Sequence, residues 1–261
     1  MTWLKVLVSS LVLSLALGAP SVMSSKEQAI DPSKQELSEE DDTEFGEVFV
    51  LAIGGKLYDN LWTMTATSAP KGANPAFPKD IKQENTQTWR CVTCHGWDYL
   101  GAGGERAKLG TSNKFTSLEK MQGVELDQVA ERIRTSHPGF PEGTFDDAII
   151  EVLALFVSIG QYDRDAFLTK DGIAIGQVES GRAIFEGACM NCHQYDGKAT
   201  LIGELGDRSS LGWISRNRPE QALHKVMNGV PGTDMLAVRF LSQRQIGDLL
   251  SFLQTLDPNE K

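Results

Sequence analysis

Cys91-Val92-Thr93-Cys94-His95 and Cys189-Met190-Asn191-Cys192-His193 are one five-residue pattern written twice. Together they use all four cysteines of the 261-residue chain and two of its four histidines. An offset of 98 residues lays one run on the other, and also lays Trp97 on Tyr195, Asp98 on Asp196 and His137 on Met235. His95 and His137 stand 42 residues apart, as do His193 and Met235. A repeat of this length is one small structural unit used twice, so whatever each run holds must sit inside such a unit.

The chemistry of the run is specific. Two residues between the cysteines let both sulfurs reach one edge of a porphyrin, and the next residue brings an imidazole under the iron. Cys-x-x-Cys-His is therefore the attachment signal of a covalent haem. A thiol redox pair has no use for the following histidine. A four-cysteine zinc site keeps its pairs about 15–20 residues apart, whereas residues 95–188 separate these. Disulfides are open to an exported chain but leave His95 and His193 without a role. The expectation is two covalently bound haem c groups, one on Cys91 and Cys94 and one on Cys189 and Cys192, with His95 and His193 as axial ligands.

Each half resembles a class I cytochrome c domain, and the whole is similar to a dihaem cytochrome c, over roughly residues 45–261. The resemblance implies an all-α fold in two tandem helical domains. Each would have an N-terminal helix, the haem run, middle helices, a loop carrying the sixth iron ligand, and a C-terminal helix. Gly181 to Glu186 reads as the first helix of the second unit, with Gly181 allowing close approach of the last helix and Phe185 packing between them. Gly54 to Asp59 is the matching stretch of the first. Leu126, Val129, Ala130 and Ile133 recur at helical spacing, Pro219 opens a helix to Met227, and Thr144–Asp147 and Ser242–Gln245 read as capping boxes before the two closing helices. The matching first helices lie 127 residues apart rather than 98, so the first unit carries 29 extra residues before Cys91. They are rich in proline and glycine and read as an inserted loop. The expected organisation is a signal peptide at 1–24, an acidic disordered leader at 25–46, domain 1 at 47–160 with its insertion at 59–88, a linker at 161–170, and domain 2 at 171–261.

A six-coordinate haem needs a second axial group, usually sulfur or imidazole. In the second unit the resemblance puts Met235 there, in the loop after Gly229-Val230-Pro231-Gly232, although Leu236 replaces the usual proline. His224 and Met227 lie on a helix and are expected to pack or face solvent. In the first unit His137 takes the position, followed by Pro138, with Met64 and Met121 as fallback ligands.

Lys5, the apolar run at residues 6–17 and the small residues after it read as a secretory signal. Periplasmic localisation follows, in keeping with the site of haem attachment that the resemblance implies. The formal charge is −10, and residues 26–46 contribute eight acids against Lys26 and Lys34. An acidic chain without a basic stripe does not read as a nucleic-acid binder. Its partners are expected to be redox proteins with basic docking surfaces, or a membrane oxidoreductase complex that it serves as a subunit. The function implied is electron transfer between such partners, not catalysis. The competing reading is a dihaem enzyme of the peroxidase or thiosulfate-oxidising kind with a labile site at the first haem, where Arg132, Arg134 and Asp98 would be the nearby polar groups.

Overall fold

The computed structural model describes residues 39–109, 115–199 and 210–259. The signal segment and most of the acidic leader lie outside them. Apart from one isolated β-bridge between Leu168 and Ala174, the described residues form only helices and connections, which is the all-α class expected.

Among the described residues four helices make up the first group: α1 (Glu39–Met64), α2 (Cys91–His95), α3 (Leu126–Ser136) and α4 (Asp147–Ile159). α1 starts inside the stretch assigned to the leader and continues past Asp59, where the insertion was placed, with a break in helical geometry at Asn60 (φ −151°, ψ 88°). α4 is capped by Asp146, whose carboxylate accepts the Ile149 N–H, and not by Thr144. α3 and α1 both pack on α4. The contact is close because Gly54 lies against Phe156: a Cβ there would come 2.5 Å from the Phe156 Cβ. One turn on, the Tyr58 ring meets Phe156 at 5.6 Å.

Five more helices follow: α5 (Val178–Ala188), α6 (Met190–His193), α7 (Leu211–Asn217), α8 (Pro219–Asn228) and α9 (Gln243–Leu253). The Ser242/Gln245 capping box forms as the sequence indicates, satisfying two backbone N–H groups at the start of α9. α5 lies on α9 through Gly181, where any Cβ would collide with the Asp248 carbonyl, and Phe185 meets Phe252 at 5.2 Å. The crossing of α1 on α4 is thus built from the same parts as that of α5 on α9: a glycine, and an aromatic four residues later against a phenylalanine.

The described residues, from Glu39 onward, cluster as one compact unit. Residues 161–170, assigned to a linker, are part of its core: Tyr162, Phe167 and Leu168 are buried. The Tyr162 hydroxyl lies within reach of the Trp97 carbonyl at 2.6 Å and the Glu220 carbonyl at 3.1 Å. α1 also packs on α8, where Gly55 faces Asn228 and Lys225 donates to Asp59 at 2.7 Å. Among the described residues no helix is long and apolar enough to cross a membrane.

Candidate functional site

The first Cys-x-x-Cys-His run forms α2, a single turn held by α1. Arg90, just before it, donates from Nε to the Asp59 carbonyl at 2.6 Å and pairs with the Asp59 carboxylate. Gly96 ends the turn at φ +83°, a conformation that favours glycine, and its carbonyl accepts the Tyr58 hydroxyl at 2.6 Å. Both ends of the run are therefore pinned to one face of α1.

His95 donates its Nδ1–H to the Thr116 carbonyl at 2.7 Å. That bond selects the tautomer whose Nε2 lone pair is free, the form a metal needs. Burial pushes the imidazole down to about 4, keeping it neutral. His137 stands where α3 ends, pulled out of helical geometry (φ −117°, ψ 68°) by the proline after it. It too donates Nδ1–H to a carbonyl, that of Ile133, at 2.9 Å. The two rings lie with centroids 6.1 Å apart and their planes inclined at 65°. Two imidazoles on opposite sides of one metal, with metal–nitrogen bonds of about 2 Å, need a spacing of about 6 Å. Around them lies an almost wholly apolar cleft formed by Tyr58, Leu118, Val129, Ile133, Leu153 and Val157, with Cys91 at its wall. Paired imidazoles, a thiol and apolar walls are the donor set and lining that a covalent haem fits.

Burial pushes Cys91 up to about 12 and Cys94 up to about 11, away from the thiolate that a disulfide exchanger requires. Of the polar groups expected near the first run, Arg132 lines the cleft. Arg134 is tied to Asp147 at 2.8 Å on the surface. Asp98 is occupied by the backbone N–H groups of Leu100 and Glu105, at 3.1 and 2.6 Å. Glu105 in turn accepts from the Trp97 N–H at 2.8 Å, and burial raises its carboxyl to about 7.

The second run begins where α5 ends. Cys189 is half-buried, Cys192 is exposed, and burial lowers the His193 imidazole below its ordinary value. His193 Nδ1 is buried and has no hydrogen-bond partner among the described residues. Met235 is half-buried in the loop after α8, its N–H donating to Thr233 Oγ1 at 3.2 Å. Gly229 (φ +80°) lies under this loop, and a Cβ there would come 2.6 Å from the Met235 carbonyl. The loop is anchored to α8 by Val238 N–H donating to the Val226 carbonyl at 3.1 Å.

His224, expected to pack or face solvent, packs. It is fully buried where α8 meets the first helix group. Its Nδ1 accepts the Tyr99 hydroxyl at 2.9 Å and its Nε2–H donates to the Gly55 carbonyl at 3.0 Å. Both ring nitrogens are thereby used, so it is no iron ligand here. Asp59, which sequence reasoning missed, is buried between Arg90 and Lys225; burial alone would raise its carboxyl, but the two cations hold it below the usual range.

Residues 178–257 match the family model described as cytochrome c. The match runs from the first residue of α5 past the end of α9 and takes in Cys189, Cys192, His193 and Met235. A search of curated proteins finds no match to the chain. The family match gives the chain a cytochrome c domain, and with it covalently bound haem c and electron transfer as its function at a coarse level.

Proposed function

We propose that the chain is an exported dihaem cytochrome c that passes electrons between two redox proteins, with one haem in each helix group. The first would be held by Cys91, Cys94, His95 and His137, and the second by Cys189, Cys192, His193 and Met235. The observation that carries the reading is the pair His95 and His137, 6.1 Å apart with both Nδ1 groups tied to carbonyls. Repetition of the glycine–aromatic crossing around each run supports it.

The haem iron supplies a one-electron couple. The protein supplies the setting. The Thr116 and Ile133 carbonyls orient the two histidines through their Nδ1 atoms. Leu118, Val129, Ile133, Leu153 and Val157 exclude water from the first cleft. A thioether ligand raises a haem potential relative to a second imidazole. A haem held by His95 and His137 would then supply the entry point for electrons, and one held by His193 and Met235 the exit. Acidic surface charge favours basic partners, so electron exchange slows as salt rises.

The ferrous spectrum with and without carbon monoxide tests the ligand assignments. Two firmly six-coordinate haems leave it unchanged; a shift contradicts one of the sixth ligands. Potentiometry with the first centre as the higher-potential one would contradict the direction.

A further inference from the structure

The 29 residues that the first unit has and the second lacks do not hang free. They fold across the loop that carries His137. We propose that this insertion is a brace that holds His137 opposite His95, with Trp62, Trp89 and Phe140 as its positioning residues; this rests on the reading of His137 as the sixth ligand.

The contacts run in one chain from the insertion to the imidazole. Gly139, two residues after His137, has φ +92° and presses on Pro75, where an added Cβ would stand 3.0 Å from the proline Cδ. Next to it, the Phe140 ring lies parallel to Trp62 (6.1 Å, 8°) and edge-on to Trp89 (5.2 Å, 84°). Phe140 also meets Phe145 at 4.9 Å, and the His137 ring stands 6.1 Å from each of these phenylalanines. Both tryptophans are buried and both spend their indole N–H on backbone carbonyls: Trp89 donates to Gly72, inside the insertion, at 2.7 Å, and Trp62 to Trp89, just past its end, at 3.2 Å. Thr88 closes the loop on itself by accepting the Asn74 N–H at 2.8 Å.

The difference between the two units has a physical reason. An imidazole has two side-chain torsions and must be aimed by its backbone, which here is a loop past the end of α3. A ligand has to be held within about 0.5 Å of its working position. A methionine has three torsions and can reach from a loosely placed backbone. Replacing methionine by histidine at this position therefore calls for outside support, and the insertion supplies it.

The test uses the mature dihaem protein. His137→Ala should open one haem to carbon monoxide. Phe140→Leu keeps apolar bulk without the aromatic stack, and Trp89→Phe keeps a smaller aromatic ring but removes the N–H to Gly72. Each should speed carbon monoxide association at the first haem by at least about tenfold, the low end of the loss in metal affinity or activity that removing an outer-shell contact brings, with the second haem unchanged. A merely structural role would lower the melting temperature without moving that rate. If His137→Ala opens the haem and both brace variants remain inert to carbon monoxide, the brace is wrong and the ligand stands. If His137→Ala also remains inert, the ligand reading fails and the brace with it. Should Phe140→Leu fail to mature, Trp89→Phe alone decides by the same criterion.

Discussion

The crossing of α1 on α4 and that of α5 on α9 are near copies, while the loops above them are not. Gly54, Tyr58 and Phe156 in one correspond to Gly181, Phe185 and Phe252 in the other. Above the first crossing, His137 is locked among aromatic rings and an insertion. Above the second, Met235 sits in a loop fastened mainly to α8. A helix crossing can be repeated with little change because it only has to bring two backbones together. The ligand loop sets the chemistry, and there the two halves diverge.

The sharpest way to break this correspondence is to empty it. Phe185→Ala removes a fully buried ring and should cost about 3–5 kcal/mol, read as a shift in urea midpoint; Tyr58→Ala should fall in the same range and also free the Gly96 carbonyl. Adding one carbon to the close contact is the next test. Gly181→Ala, which would collide with the Asp248 carbonyl, should lose about 1–3 kcal/mol or more. Gly187→Ala on the same helix meets nothing within 4 Å and should gain about 0.5–1 kcal/mol from helix propensity. Equal effects at positions 181 and 187 would contradict the crossing.

The seam between the helix groups predicts an acid dependence. Burial pushes His224 from an ordinary 6.5 down to about 3. Below pH 6.5 the unfolded chain therefore takes up a proton that the folded chain refuses. The contribution of this group is full above pH 6.5 and is lost as pH falls toward 3, with a slope of at most about 1.4 kcal/mol per pH unit. His224→Gln should flatten that slope in urea titrations between neutral and acid pH. An unchanged slope would mean that the seam opens before His224 titrates.

Much of this was legible in the sequence, for reasons that also mark the limit. The haem runs are local and chemically strict, and α3, α8 and the cap at Ser242 follow from periodicity and hydrogen-bond donors a few residues apart. Gly181 could be read because only a close helix crossing explains a glycine one turn before a buried aromatic. His224 and Lys225 could not. They lie off the apolar stripe of Leu223, Val226 and Met227, where polar residues ordinarily face solvent. They are buried because α1, more than 160 positions away, covers that face together with Trp97 and Tyr99. The same holds for residues 161–170: spacing marks them as a connection, but Tyr162, Phe167 and Leu168 become core once the two helix groups share a seam.

The central claim is that the repeated frame holds a haem twice. Intact-mass determination of the mature protein, with Cys91/Cys94→Ser and Cys189/Cys192→Ser variants alongside, tests it directly. The account predicts two covalent haems on the parent chain and one on each variant. A single haem on the parent, lost only with Cys189 and Cys192, would confine haem binding to residues 178–257 and leave the His95–His137 pair without its metal.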